Sequence, residues 1–138
     1  MKMPMLFLAC LTLAGAAQAQ TSDPDFIDQK DAIHATGEQI FTHICQGCHM
    51  PDARGAVGAG HYPALANNPK LASAAYPAAM IVNGRGGMPT FGFMLSDAQV
   101  ADVVNYIRTH FGNTYTDTLK PEDVKAFRPA VKPPTKEH

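Results

Sequence analysis

The chain has 138 residues, of which 46% are hydrophobic and 17% are charged, and its formal net charge is −1. This length and composition predict one small folded domain and argue against a long disordered protein. Because the sequence has no basic arm and no block of like charge, we do not expect a nucleic acid or an anionic membrane surface as a partner.

The first 19 residues have the features of a secretory signal peptide. Lys2 provides a positive start, an apolar run extends from Met5 to Ala17, and small residues at Ala17 and Ala19 suit a signal peptidase. An uncleaved membrane anchor is the alternative, but a run of about thirteen residues is shorter than the roughly 20 that span a bilayer. We therefore predict cleavage after Ala19 and export to the periplasm, with membrane contact only through partner proteins.

The first half of the exported chain predicts a lead-in, a helix and a loop. Residues 20–31 contain Asp, Pro and Ser and are expected to be flexible. From residue 32 to residue 44 apolar residues recur every three or four positions, which predicts a helix that ends at the sequence CQGCH. Residues 51–69 are rich in Gly, Pro and Asn and predict a loop. A loop of this length is unusual in a compact domain unless it wraps something.

The second half predicts three helices. A short helix at 77–82 is followed by the turn NGRGGMP. The strongest signal is a helix that begins with a capping box at Ser96 and Gln99, carries an apolar stripe and stops at Gly112. The sequence KPEDVKAF predicts a last short helix, with Pro121 in its first turn.

No stretch alternates long enough to suggest a sheet, so the predicted fold class is all-α. We expect the folded domain to occupy residues 32–127. Residues 128–138 contain three prolines and little that could pack, and they are expected to form a disordered tail.

The cysteines of the exported chain lie together in CQGCH, as Cys45 and Cys48, because Cys10 belongs to the signal peptide. Zinc, a redox disulfide and covalent haem are the possible uses of this motif. A structural zinc site takes four ligands, usually as two pairs, and no second pair here has finger-like spacing. A redox Cys-x-x-Cys pair is expected beside a βαβ unit, of which this sequence has no sign.

Covalent haem uses every residue of the motif. Two thiols three positions apart on a helical turn face the same way, so both can bond to the vinyl groups of one porphyrin. His49 follows on the same turn, where its imidazole can bind the iron. We therefore predict one covalently attached haem c, held by Cys45, Cys48 and His49.

The opposite face of the iron needs a second ligand, and the methionines are the main candidates. Met50 directly follows His49 and cannot reach the other face. Met80 lies in a short apolar helix and is expected to fill the core. Met88 lies in GRGGMPTFG, where two glycines allow a close backbone approach and a proline stiffens the turn. We favour Met88 over its neighbour Met94.

In these motifs and their order, residues 32–112 resemble the class I c-type cytochromes. The resemblance rests on CQGCH, GHYPAL, GGMP and the helix that ends in NYIR. It implies thioether bonds at Cys45 and Cys48, with His49 and Met88 as the two iron ligands. It also implies that the carbonyl of Pro63 accepts a hydrogen bond from the His49 imidazole and fixes the ring orientation.

The same resemblance implies a small cytochrome c fold, with three to five helices around one haem. In that fold the first and last helices cross closely at the positions of Gly37 and Tyr106. The sequence from Met88 to Asn113 is also similar to haem domains of cytochrome subunits from periplasmic alcohol and sugar dehydrogenases. Those subunits usually carry several haems and this chain carries one, so it could be a free carrier or a subunit of a complex.

Histidine and methionine together would leave no open position on the iron, which predicts one-electron transfer and no catalysis by this chain itself. The expected partners are redox proteins: a dehydrogenase or quinol-linked complex as donor, and a terminal oxidase or another cytochrome as acceptor. A haem enzyme or gas-binding protein with an open distal iron position is the alternative function.

Overall fold

The computed structural model of the protein describes residues 33–58 and 60–129. The predicted signal peptide, the lead-in and residues 130–138 lie outside this part. Its α-helices are α1 (Gly37–Ile40), α2 (Gln46–His49), α3 (Ala75–Asn83), α4 (Asp97–Thr109) and α5 (Pro121–Val124). A π-helical stretch at Phe41–Cys45 joins α1 to α2, and 3₁₀ turns lie at Pro69–Ala72 and Lys125–Phe127. None of the helices in the described part has the length and apolar character needed to cross a bilayer.

The first helical segment begins at Gly37, whereas the sequence predicted a start at residue 32. Thr36 is the reason, because it forms a capping box with Gln39. The Thr36 side chain accepts a hydrogen bond from the Gln39 amide at 3.3 Å, and the Gln39 side chain accepts one from the Thr36 amide at 2.9 Å. The π-helical stretch that follows is a type of winding often found at functional sites. It carries the chain directly into the CQGCH motif.

A small antiparallel ribbon corrects the prediction that the protein has no sheet. Two strands, Ala56–Val57 and His61–Tyr62, pair within the segment that was predicted to be a loop. Strands of two residues are too short to produce an alternating pattern in the sequence, which is why the pattern gave no sign of them. Elsewhere this segment is held by the buried Ala53, whose carbonyl accepts hydrogen bonds from the amides of Leu65 and Ala66.

Helix α4 begins as predicted, since Ser96 and Gln99 form the expected capping box. It ends at Thr109, three residues before the predicted stop at Gly112. The chain turns back here because Phe111 and Gly112 both have positive φ angles, of 55° and 81°. The side chain of Asn113 then donates to the Ile107 carbonyl at 2.8 Å and closes the end of the helix.

The first and last long helical segments cross closely, as the family resemblance implied. A Cβ atom at Gly37 would overlap the Asp102 carbonyl and lie 3.0 Å from the Cβ of Tyr106, so only glycine fits at this crossing. The Phe41 ring packs beside the crossing, 4.6 Å from the ring of Phe111 and 5.8 Å from that of Tyr106. The crossing fixes the direction in which the first segment delivers the CQGCH motif.

Arg108 ties α4 to two other parts of the chain. Its side chain is fully buried at 0% exposure. The guanidinium donates to the carbonyls of Leu71 (2.8 Å) and Ala72 (3.2 Å) in the 3₁₀ turn, and to a carboxylate oxygen of Asp117 at 2.6 Å. The arginine therefore fixes the 3₁₀ turn and the segment after α4 against the same helix.

Arg128 was predicted to begin the tail, but the structure places it against the domain. Its guanidinium donates to the Asp97 carboxylate and to the carbonyls of Gly92 and Leu95. The packed domain therefore extends at least to Arg128. The pattern of apolar residues did not predict this contact, because it does not show that a polar side chain will bond to residues far away in the sequence.

Candidate functional site

A single cavity of about 750 Å³ brings together the five site residues that the sequence predicted. They are Cys45, Cys48, His49, Pro63 and Met88. The π-helical stretch and α2 contribute the first three, the segment after the ribbon contributes the proline, and the turn after α3 contributes the methionine. Residues separated by more than forty positions in the chain thus share one site.

The two cysteines lie on consecutive parts of the same helical segment and differ in exposure. Cys45 is half-buried, whereas Cys48 is exposed. Burial, with a smaller contribution from the nearby Cys48, raises the pKa of the Cys45 thiol to about 11. Before any bond is made to its sulfur, Cys45 is therefore an uncharged thiol at neutral pH.

His49 is buried at 8% exposure, and its ring orientation is fixed by one hydrogen bond. Its Nδ1 lies 2.9 Å from the carbonyl oxygen of Pro63. A carbonyl can only accept, so Nδ1 must carry a proton, and in the neutral imidazole Nε2 then keeps its lone pair. This is the tautomer that an imidazole needs to bind a metal through Nε2.

Gly55 explains how the Pro63 carbonyl reaches the histidine. The glycine has a φ of +67°, and its amide donates to the His49 carbonyl at 2.9 Å. A Cβ at this position would overlap the Tyr62 carbonyl oxygen and lie 2.9 Å from the Pro63 carbonyl oxygen. The absence of a side chain at Gly55 therefore lets the ribbon segment fold tightly over His49.

Met88 lies on a turn whose ends are bonded to each other. The amide of Arg85 donates to the Met88 carbonyl at 2.9 Å, and the amide of Met88 donates to the Arg85 carbonyl at 3.0 Å. Gly86 and Gly87 of this turn line the cavity, and a Cβ at either would meet no protein atom within 4 Å. The turn packs tightly against the protein at Gly84, where a Cβ would lie 2.7 Å from the Met88 carbonyl oxygen.

The residues after Met88 are bonded to α3. The Thr90 hydroxyl donates to the Val82 carbonyl at 2.6 Å, and the Phe91 amide donates to the Ile81 carbonyl at 2.9 Å. These bonds hold the methionine turn beside the cavity on the α3 side.

Two methionines line the cavity, whereas the sequence singled out one. Met80 on α3 lines it together with Met88, although we predicted that Met80 fills the core. Met94, the reserve ligand, is 68% exposed and does not belong to the cavity lining, and neither does Met50. Of the four methionines considered, only Met80 and Met88 are therefore placed where a thioether could bind a group in the cavity.

Most of the cavity wall is apolar. Leu65, Ile81, Phe91 and Ile107 all line it. Ile40 and Phe41 do not, and they pack instead in the buried core. Sequence reasoning missed Tyr76 and Lys70, because neither lies in a pattern that distinguishes a cavity wall from solvent.

The charges around the cavity have one sign. Lys70 and Arg85 line it, and no Asp or Glu occurs among the described lining residues. The cavity therefore suits a large apolar group that carries negative charge at its edge, as haem does through its two propionates. Two thiols, an imidazole with a free Nε2 and a thioether on the same walls fit covalent attachment and iron ligation.

Comparison with known proteins agrees with this chemistry. Residues 32–107 match the family described as cytochrome C oxidase, cbb3-type, subunit III. The gluconate 2-dehydrogenase cytochrome c subunit of Pantoea cypripedii is 34% identical over 107 residues, which cover 67% of this chain and 24% of that protein. The cytochrome c subunit of a quinone-dependent alcohol dehydrogenase from Gluconobacter oxydans (strain 621H) is 31% identical over 105 residues, 67% of this chain and 22% of that protein.

A smaller relative matches over most of its own length. Cytochrome c6 of Alaria esculenta is 34% identical over 80 residues, which cover 53% of this chain and 86% of that protein. By contrast, the chain spans about a quarter of the length of the dehydrogenase subunits that it matches. The chain belongs to the family described as cytochrome C oxidase, cbb3-type, subunit III, and is a c-type cytochrome domain whose cofactor is covalently bound haem c.

Proposed function

We propose that this protein is a periplasmic monohaem electron carrier. In this proposal Cys45 and Cys48 would form the thioether bonds to haem c, and His49 and Met88 would bind its iron. The carbonyl of Pro63 orients the imidazole. The observation that carries the proposal is that all five residues line one cavity in which Nδ1 of His49 donates to the carbonyl of Pro63.

Haem c supplies a one-electron couple between ferric and ferrous iron. The residues of the chain decide how that couple is used. A thioether from Met88 favours the ferrous state and raises the reduction potential relative to harder ligands. If His49 and Met88 both bound the iron, no position would be left on it for a substrate. The apolar wall keeps water away from the site and also adjusts the potential.

The proposed partners are redox proteins. The similarity to cytochrome c subunits of gluconate, alcohol and fructose dehydrogenases supports a dehydrogenase or a quinol-linked complex as the electron donor. A terminal oxidase or another cytochrome would be the acceptor. Because the formal net charge is only −1, we expect weak electrostatic steering and small, transient contacts.

The proposed organisation of the chain follows the sequence. Residues 1–19 are a signal peptide that is removed after Ala19, residues 20–31 are a lead-in, and residues 32–127 form the cytochrome c domain. The remainder is a proline-rich tail, shortened by the packed position of Arg128. N-terminal sequencing of the exported protein tests the cleavage site directly.

The ligand assignment is tested by a matched pair of variants, Met88→Leu and Met80→Leu, expressed with the native leader in a bacterium that attaches haem c. Both changes remove a sulfur from the same cavity at nearly constant volume. We expect only Met88→Leu to abolish the thioether-to-iron absorption band of the ferric protein and to admit CO rapidly to the ferrous protein. Rapid CO binding by the unmodified protein would instead favour the haem enzyme or gas-binding alternative.

A further inference from the structure

Arg128 makes three bonds to one short segment of the chain. Its Nε donates to the Asp97 carboxylate at 2.7 Å, its Nη2 donates to the Leu95 carbonyl at 2.8 Å, and its Nη1 donates to the Gly92 carbonyl. The side chains of Arg128 and Asp97 are only 26% and 24% exposed. Charge-assisted bonds in such a partly buried position are stronger and less screened than those of a surface ion pair.

Two of the three acceptors of Arg128, the carbonyls of Gly92 and Leu95, lie on the loop that carries Met88, and the third, Asp97, is the first residue of α4. This loop, residues 84–95, runs from the end of α3 to the start of α4. Near its middle the loop is bonded to α3 through Thr90 and Phe91. In its second half, the amides of Met94 and Leu95 bond only within the loop, to the Phe91 carbonyl. Arg128 therefore supplies long-range side-chain bonds to residues 92–95 of the loop.

The segment that presents Arg128 is itself anchored. Val124 is fully buried in the core, and the Asn83 side chain donates to the Phe127 carbonyl at 3.1 Å. Asn83 is the last residue of α3, the same helix that is bonded to Thr90 and Phe91 of the loop. Helix α3 thus holds the loop directly at these two residues, and indirectly, through the segment that carries Arg128, at its C-terminal end.

We propose that Arg128 is a positioning residue that holds the loop 84–95, and through it Met88, against the cavity. The inference rests on the proposed function, since it takes Met88 to be the iron ligand. A loop released at one end opens more often, and each opening exposes the iron to competing ligands. Only the open state binds a competing ligand, so the apparent affinity for that ligand rises in proportion to the population of the open state.

The test is a titration of the ferric holoprotein with imidazole, followed by the absorption spectrum. We expect Arg128→Ala to bind imidazole about tenfold more tightly than the unmodified protein, since it loses three bonds of a charged group. Arg128→Lys keeps the charge, but a lysine cannot reach three divergent acceptors. The imidazole affinity of this variant should therefore lie between those of Arg128→Ala and the unmodified protein. Asp97→Asn removes one charged acceptor and gives a milder increase that does not depend on altering Arg128.

A control separates positioning from general loss of stability. Asn105→Ala removes two hydrogen bonds to the backbone of Leu119, each of 2.9 Å, and touches no atom of the loop. It should lower the free energy of unfolding while leaving imidazole affinity unchanged. Equal imidazole affinity in Arg128→Ala and the unmodified protein would overturn the inference, as would an equal increase in Asn105→Ala. If Arg128→Ala does not fold, Arg128→Lys and Asp97→Asn decide the question by the same criterion.

The failure of this inference can be told apart from failure of the proposed function. If Met88 is not a ligand, Met88→Leu and the unmodified protein bind imidazole equally. Amide hydrogen exchange at Met94 and Leu95 provides a second readout that does not depend on the iron. It should accelerate in Arg128→Ala, and unchanged exchange there would show that Arg128 does not hold the loop.

Discussion

Gly55→Ala tests whether the hydrogen bond between His49 and Pro63 controls the iron. The added methyl group would overlap the Tyr62 carbonyl oxygen and lie 2.8 Å from the carbonyl carbon of Pro63. These are backbone atoms, so the segment must move as a unit. A displacement of about 0.5 Å along the 2.9 Å bond to His49 carries it beyond the usual 2.7–3.2 Å range.

The expected loss of stability has two parts. Alanine at a φ of +67° costs about 1–2 kcal/mol relative to glycine. The weakened hydrogen bond and the displaced segment add about 1–2 kcal/mol, because the imidazole is buried. The free energy of unfolding should therefore fall by about 2–4 kcal/mol.

The reduction potential should rise in the same variant. Donation from Nδ1 to a carbonyl makes the imidazole more basic, which stabilises ferric iron more than ferrous iron. Loss of this donation should weaken the ferric state by about tenfold relative to the ferrous state, which corresponds to a rise of about 59 mV for one electron. The assay is spectroelectrochemical titration of the holoprotein, together with urea unfolding.

Gly112→Ala is the matched control for backbone strain. Gly112 has a φ of +81°, but the group that a Cβ would overlap is the side chain of Asn67, which is exposed and can move. The free energy of unfolding of Gly112→Ala should fall by about 1–2 kcal/mol, and its reduction potential should equal that of the unmodified protein. A Gly55→Ala protein with the potential of the unmodified protein, despite its lower stability, would refute the coupling between Pro63 and the iron.

Three further predictions follow from other contacts. Arg108→Ala should lower the free energy of unfolding in urea by about 3–5 kcal/mol, because the Leu71 and Ala72 carbonyls lose a buried donor; a loss below about 1 kcal/mol would contradict this. The hydrogen bond from Arg108 holds the pKa of Asp117 below its ordinary value of 3.8. The ionised carboxylate therefore stabilises the fold above pH 3.8, and this stabilisation is lost as the pH falls through the lowered pKa of the folded protein. Urea midpoints of Asp117→Asn and the unmodified protein should therefore converge in acid, and a constant difference down to about pH 2 would be inconsistent with the contact. In haem-free protein at about pH 8, iodoacetamide should modify Cys48 before Cys45, whose pKa is about 11, and peptide mapping that finds Cys45 modified first would show that the thiol is not buried.

The parts of the site that the sequence predicted are those that local chemistry dictates. The spacing of Cys45, Cys48 and His49 suits one covalent use, and a capping box marks the start of α4 through residues three positions apart. Met88 was predicted because glycine and proline around it indicate a stiff, close turn. The structure places this turn, with Gly86 and Gly87, at the wall of the cavity.

The parts that the sequence did not predict depend on long-range contacts. Nothing near Arg108 indicates that its guanidinium will meet carbonyls of Leu71 and Ala72 more than thirty residues earlier. The position of Arg128 depends likewise on Gly92 and Leu95. A pattern of apolar residues records which faces are buried, but it does not record which buried carbonyls need a donor.

Two local features were also missed, for a different reason. The ribbon at residues 56–62 is too short for a period of two to be visible, and Met80 looked like core because apolar helix positions face a core and a cavity alike. A cavity meant for a cofactor is lined by the same residue types as a packed interior. Sequence patterns alone therefore cannot separate the two.

The central claim is that the sulfur of Met88 binds the iron opposite His49. Nuclear magnetic resonance of the ferrous protein, with ¹³C in the methionine methyl groups, measures this directly. We predict one methyl signal shifted strongly upfield by the porphyrin ring, present in Met80→Leu and absent in Met88→Leu. A shifted signal that survives in Met88→Leu, or no shifted signal in the unmodified protein, would contradict the account.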